Sequence, residues 1–447
     1  MKKNLLLLSF LASVSLQSYS QVWSNLGNGF DGNVNALCVY NNSLYAAGNF
    51  THDGSGVTTL NHIAKWTGFA WVAVGTGFDG NASSLTVYNG ALYAGGDFLV
   101  AGSDSSNRIA KWNGTSWTHI GRGFNSTVKC MYAWNGELYA GGSFTQSGFS
   151  SVARIAKLSD TTWSVVGGSG APGVVNAIVD YNSELFIGGG WSSPGVSRLS
   201  GGVWISLGSG GPDFEVTSLA VFRKQSPTNI VLWIGGKFNQ PSPRLCTWSS
   251  TGFATSFNNY NTTANANVYA LYSTAPFLFS GGGFSLTVGS NNISKLARYN
   301  GAAPWDSVGA VADNDINAIT SLNGQLVIGG KFTTINSTSM KYVAIRNNLI
   351  GIEEQDENIL VREFFPNPFS KEAILKLQTK SFLNSPSLSI LDVTGRDINA
   401  VTEIINFNKV NHEVKFRIER SELPAGIYFY LLNDQKKNIA SGKFIIE

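Results

Sequence analysis

The segment LYAGGDF at residues 92–98 returns along the chain at almost constant spacing. LYAAGNF at 44–50 precedes it. LYAGGSF, LFIGGGW, LWIGGKF, LFSGGGF and LVIGGKF follow, opening at Leu138, Leu185, Leu232, Leu278 and Leu326. Counted from Leu44, the steps between copies are 48, 46, 47, 47, 46 and 48 residues. So regular a period describes one supersecondary unit made seven times, each too small to bury a core by itself.

The second repeat, Ser83 to Asn125, displays the unit. SSLTVY has the β-branched and aromatic content of a strand, and Asn89-Gly90 is a strong hairpin signal. ALYAGGDF returns, a polar stretch LVAGSDSSN follows, RIAKW makes a third strand, Asn113-Gly114 turns it, and TSWTHIG makes a fourth. Each repeat is therefore expected to be a four-stranded antiparallel meander, strands a to d. Seven such sheets packed around an axis cover one another's faces. The expected fold is all-β: a seven-bladed β-propeller of four-stranded antiparallel blades. Only 13% of residues are charged, while there are 50 Gly and 12 Trp, which suits tight turns and stacked sheets.

The glycine pair then has a reason, because backbones near an axis must approach closely. Aromatics two residues later (Phe50, Phe98, Phe144, Trp191, Phe238, Phe284, Phe332) fill wider space. Strand d carries Trp71, Trp117, Trp163, Trp204 and Trp305, while the fifth repeat offers Phe253 or Phe257. No helical pattern follows any glycine pair, which excludes a dinucleotide-binding turn. After YVAIRN (342–347) the seventh repeat lacks strand d, and VWSNLG (22–27) matches AWVAVG (70–75). The N-terminal strand is thus predicted to complete blade seven near Val343–Ile345, removing an exposed edge. The pairs Gly95-Gly96, Gly141-Gly142 and Gly235-Gly236, with Trp71, Trp117 and Trp163 later in their repeats, resemble kelch-type propellers across residues 22–348.

The two ends differ from this middle. Lys2 and Lys3, a short apolar run Leu5–Leu16, and Ser18-Tyr19-Ser20 read as a signal peptide, 1–20, cleaved after Ser20. No second long apolar run follows, so no transmembrane segment is expected in the mature form. The propeller is assigned to 21–348, an acidic linker to 349–362 and a small C-terminal β-sandwich to 363–447. Residues 350–447 hold 26 of the chain's 59 charged residues, only four of its 50 Gly and none of its Trp. Within this tail Pro366, Asn367 and Pro368 form one motif, Asp392 and Gly395 belong to a D-x-x-G-R turn, and Gly426, Tyr428 and Lys443 lie near the end. Together they resemble the type A C-terminal sorting domain of type IX secretion. That resemblance implies a Gram-negative bacterium of the Bacteroidetes type and the type IX machinery as partner. It also implies passage through the periplasm, removal of the domain, and release or attachment at the outer cell surface.

Chemistry is sparse. The four His are scattered, and neither HExxH, a Cys-His cluster nor G-x-S-x-G occurs. No catalytic residue, cofactor or metal is expected. A net charge of +3 without basic clusters argues against a nucleic-acid partner. Cys38, Cys130 and Cys246 read as small buried apolar residues, and Lys65, Lys111, Lys157, Arg198 and Arg298 on strand c as stems packed between blades with charges reaching out. In a meander the a–b and c–d turns share one face and the longer b–c and d–a loops the other. Variable loops on a rigid scaffold concentrate binding residues. The candidate ligand-binding residues are Asp31, Asp53, Asp79, Asp104, Asp213, Tyr260, Asp313 and Asp315. The function expected is that of an exported, adhesin-like binding protein for surface glycan or protein. Two alternatives stand beside it: a polysaccharide- or peptide-processing enzyme with acidic residues at the propeller mouth, and a structural surface component.

Overall fold

The computed structural model describes residues 23–223, 230–250, 252–254, 267–274, 276–288, 291–301, 305–349, 359–380, 383–391, 397–398, 400–434 and 437–447. The signal segment and Ser20 lie outside these residues, as does most of the linker. Among the described residues, all regular structure is β-strand.

Seven four-stranded antiparallel sheets follow the seven repeats. Their first strands are Val34–Tyr40, Ala82–Tyr88, Val128–Trp134, Val174–Tyr181, Val216–Arg223, Val268–Thr274 and Ile316–Leu322. Six sheets take their strands in chain order. The seventh takes Ile316–Leu322, Gln325–Gly330 and Val343–Leu349 from one end of the chain and Trp23–Asn25 from the other. The register is Trp23 opposite Arg346, Ser24 opposite Ile345 and Asn25 opposite Ala344, the pairing that the match between 22–27 and 70–75 anticipates.

Successive sheets pack first strand to first strand, and Ile316–Leu322 lies beside Val34–Tyr40. Asparagines at the second or third position of these strands bond the next sheet's backbone: Asn35 Nδ2 donates to Ala82 O (3.1 Å), Asn176 Nδ2 to Val216 O (2.9 Å) and Asn317 Nδ2 to Val34 O (3.4 Å). The two glycines of each pair serve different neighbours. A Cβ at Gly95 would fall 2.5 Å from Val128 Cγ1 of the next sheet, and one at Gly329 would fall 2.5 Å from Val34 Cγ1. At the second position, Gly96 or Gly330, a Cβ would strike a carbonyl at the start of its own sheet, Asn81 O or Asp315 O. The first glycine therefore sets sheet-to-sheet approach and the second admits the bulge that opens each first strand.

Strand-d tryptophans bridge sheets a second way. Trp71 Nε1 donates to Leu26 O (2.9 Å), Trp117 to Val74 O (2.8 Å), Trp163 to Ile120 O (3.2 Å) and Trp204 to Val166 O (2.9 Å), in each case at the end of the preceding sheet's fourth strand. Trp23 Nε1 makes the same bond to Val308 O (3.4 Å) after the sixth sheet. Trp23 thus occupies the strand-d position of the seventh sheet in its pairing and in its indole hydrogen bond. In the first three sheets each Trp leans on a stacked phenylalanine pair: Phe30–Phe50, Phe78–Phe98 and Phe124–Phe144, with centroids 4.1, 4.4 and 4.0 Å apart.

Several details depart from expectation. The polar b–c stretches fold as miniature hairpins, Val100–Ala101 with Asp104–Ser105, Gln146–Ser147 with Ser150–Ser151, and Thr334–Ile335 with Thr338–Ser339. In the sixth sheet strands b and c lengthen instead, to Phe277–Val288 and Asn291–Tyr299. Phe253 takes the fifth strand-d position, opposite Trp248, and Phe257 lies outside the described residues. Cys246 is fully buried, but Cys38 and Cys130 are only half-buried. Both lie on first strands, which are edge strands whose residues keep partial access. Desolvation still pushes their thiols up, to about 11 and about 12. The strand-c cations pair with carboxylates on neighbouring strands: Lys157 with Glu137 (2.6 Å), Arg198 with Glu184 (2.8 Å) and Arg298 with Asp306 (2.7 Å). Partly exposed pairs of this kind contribute ~0–1 kcal/mol each.

The tail forms two four-stranded sheets. One orders Ile359–Phe365, Glu372–Thr379, Glu413–Glu419 and Thr402–Asn408; the other orders Asp397–Ile398, Pro386–Leu391, Gly426–Asp434 and Lys437–Ile446. Their inward faces share a core that includes Phe369, Leu375, Leu377, Phe416, Tyr430 and Phe444.

Candidate functional site

The aspartates of the d–a loops perform a repeated backbone task. Asp31 Oδ1 accepts the N–H groups of Thr51 (2.8 Å) and His52 (3.0 Å). Asp79 accepts Leu99 (2.8 Å) and Val100 (2.9 Å), Asp213 accepts Asn239 (2.7 Å) and Gln240 (3.1 Å), and Asp313 accepts Thr333 (2.8 Å) and Thr334 (3.0 Å). In the third repeat Asn125 Oδ1 does the same for Thr145 (2.9 Å) and Gln146 (3.0 Å). Each group therefore clamps the two N–H groups that follow the aromatic ending LYxGGxF, fixing the start of the b–c loop. The separation of 20 residues in four of the five repeats was a usable sequence signal. It escapes a search for acidic residues because the third repeat uses Asn.

The other candidates are also engaged. Asp53 is buried and accepts from Asn28 Nδ2 (3.0 Å), Ser55 Oγ (2.8 Å) and the N–H groups of Val57 and Thr58 (3.1 Å each). Asp104 meets the backbone N–H of His119 at 2.8 Å and its ring Nδ1 at 2.7 Å. Asp315 pairs with Lys331 at 3.1 Å. Tyr260 lies outside the described residues. Near the starts of the first strands runs a polar chain that sequence reading missed. Lys129 Nζ donates to Asn176 Oδ1 (3.1 Å), Asn176 Nδ2 to Glu215 Oε1 (2.9 Å), and Lys237 Nζ to Glu215 Oε2 (2.6 Å). Among the described residues no group of three or more His, Cys, Asp and Glu is placed to hold a metal ion.

Desolvation pushes the Asp53 carboxyl upward, but its four donor groups outweigh that and hold it at about 2. A carboxyl more acidic in the folded than in the unfolded chain adds stability at neutral pH. That stability is lost as pH falls, here from the ordinary 3.8 down through about 2. Asp53→Asn should therefore lower the melting temperature clearly at neutral pH and much less near pH 2, where the native carboxyl is itself about half protonated. A difference that stays constant over that range would contradict this role.

Apolar side chains stand where these clamps leave the loops. Phe149, at the tip of the third b–c hairpin, is 92% exposed, and Phe214, beside Asp213, is 61% exposed. Val57, Leu99 and Val311 are exposed on the same loop classes. Two clefts open along these loops. One of about 460 Å³ lies between first and seventh sheets against Asp31, Ser55, Thr333 and Lys341. One of about 330 Å³ lies between second and third sheets against Arg122, Phe149, Thr162 and Trp163. The second corrects the expected separation of faces, since the c–d turn residues Thr161 and Thr162 meet the d–a residues Gly121 and Arg122 there. Right-handed twist of ~20–25° between neighbouring strands turns the outermost strand far from the first and carries its turn round to the long loops.

In the tail, Pro366, Asn367 and Pro368 are exposed, and Asn367 Oδ1 accepts the N–H of Ile445 (2.9 Å). Phe369 bridges in parallel to Ile446, so this turn is tied to the last strand. Gly426 opens the strand Gly426–Asp434, and the buried Tyr428 hydroxyl donates to Pro424 O (2.8 Å). Lys443 lies opposite Phe429 on the last strand, and Asp392 and Gly395 lie outside the described residues. Residues 363–447 match the family described as Secretion system C-terminal sorting domain. No curated protein matches the chain. A sorting domain of this type marks the protein for export by the type IX secretion machinery, so it is secreted or held at the outer cell surface. Among the described residues no helix is long and apolar enough to cross a membrane.

Proposed function

We propose that the protein is a surface-delivered binding protein that engages glycan or protein without turning it over. In this reading residues 1–20 are a signal peptide, 21–348 form a kelch-type seven-bladed propeller closed by the N-terminal strand, 349–362 are a linker, and 363–447 are the sorting domain. Ring closure is supported by the pairing of Trp23–Asn25 with Val343–Leu349 and by the contact of the first and seventh first strands.

One observation carries the binding reading: Phe149 and Phe214 stand exposed on loops whose backbones are clamped by side-chain oxygens. Rigid exposed aromatics supply contact area with little ordering cost on binding. The aspartates Asp31, Asp79, Asp213 and Asp313 serve that surface by holding its loops. On a glycan array the full chain should bind a subset of saccharides saturably and release no new reducing ends. Replacing both Phe149 and Phe214 by Ala should weaken binding by roughly 10- to 100-fold at unchanged melting temperature. Undiminished binding by that double variant, or release of reducing ends, would overturn the proposal.

A further inference from the structure

We propose that the cleft between the second and third sheets is a subsite for a uronic acid residue, a pyranose bearing a carboxylate. This deepens the binding reading above and rests on it. The guanidinium of Arg122 lies over one face of the Phe149 ring, 5.3 Å from its centroid. The ring is otherwise 92% exposed, so its opposite face is open. Among the described residues Arg122 has no carboxylate partner, and a guanidinium held over a ring keeps N–H donors of its planar fork for another group. An edge of parallel N–H donors suits a carboxylate, and the open phenyl face suits the C–H face of a pyranose. Exposed hydroxyls of Ser150, Thr161 and Thr162 border the same cleft, over a floor made by the buried Trp163, whose N–H is committed to Ile120 O. The volume of about 330 Å³ accommodates a monosaccharide unit with its ends free.

The second repeat supplies an internal comparison. Aligned without gaps from Gly75 and Gly121, and from Phe98 and Phe144, it places Thr76 where Arg122 stands, Ser103 where Phe149 stands and Asp104 where Ser150 stands. Both repeats form the same hairpin and the same clamp. The fold therefore requires neither Arg122 nor Phe149, and the third repeat has also exchanged a carboxylate for a hydroxyl. Gly148, with φ +58°, leaves no Cβ in the path of the Arg122 stem, which a side chain there would strike. All three features collect on one cleft: Arg122 and the exchange of a carboxylate for a hydroxyl favour an anion, and the open Phe149 face favours a sugar ring whatever its charge.

The test uses the full chain and trimers of galacturonic, glucuronic and mannuronic acid, each beside its methyl ester, which keeps the shape and removes the charge. At least one acid should bind roughly tenfold or more tightly than its ester. Arg122→Gln should erase that difference. Asp160, next to Thr161, even leaves the rim of that variant anionic. Phe149→Ala should weaken acid and ester alike by roughly tenfold. Phe69→Ala, which removes a phenyl 91% exposed on another turn, should change neither. Equal affinity for acid and ester, no binding of any acid, or an acid preference that survives Arg122→Gln would overturn the subsite. Neutral saccharides bound on the array and lost in the Phe149 and Phe214 double variant would leave the broader binding reading standing after such a failure.

Discussion

A chain lacking residues 22–27 should melt at least ~10 °C below the complete one. Three losses combine. The first is Trp23, 4% exposed and bonded to Val308 O, whose replacement by Ala alone costs ~3–5 kcal/mol. The second is the pairing of Ser24 and Asn25 with Ile345 and Ala344. The third is the outer cover of Val343–Leu349, which becomes a bare strand edge prone to pairing with other chains. Calorimetry of the deleted chain, with and without a synthetic VWSNLG peptide, measures the effect. The peptide should recover part of the loss by occupying the vacated edge. A melting curve unchanged by the deletion would show that the pairing carries no weight.

Truncation at Asn348 should separate stability from destination. The seven sheets keep every inter-sheet bond described above, so the shortened chain should fold with a melting temperature close to that of the same sheets in the whole protein. In its native host it should accumulate inside the outer membrane, with essentially none reaching the surface, because the sorting domain at 363–447 is gone. Fractionation with immunoblotting reads the location, and proteolysis resistance reads the fold. Surface material from the complete chain should yield no peptides C-terminal to about Phe365. Normal surface delivery of the truncated chain would refute the role assigned to the tail.

The fold was legible because it is periodic. Steps of 46–48 residues fixed the number of sheets, and hairpin signals such as Asn89-Gly90 fixed their strands. The likeness of VWSNLG to AWVAVG located the strand shared between the two ends. The tail was legible from its ordered motifs, which the family match at 363–447 bears out. The candidate site was legible only as a surface. Asp recurs in d–a loops, and recurrence looks the same in sequence whether a carboxylate faces a ligand or its own backbone. The structure spends Asp79 and Asp313 on backbone N–H groups. Phe149 and Arg122, which do face outward, occur in one repeat, so no period marks them. Their proximity depends on sheet twist bringing a c–d turn against a d–a loop, and twist leaves no residue pattern.

The pairing of Trp23–Asn25 with Val343–Leu349 also imposes an order of events. Trp23 is bonded to Val308, 285 residues further along the chain. Emerging N-terminus first, the chain presents Trp23 long before either partner strand exists. The first six sheets take all their strands from contiguous sequence and can assemble as they arrive. The seventh must wait, and contacts so distant in sequence form slowly once available. Until then the unpaired N-terminal strand and an open sheet edge coexist on one chain, and a chaperone that covers one of them would govern how much of the protein reaches its final state.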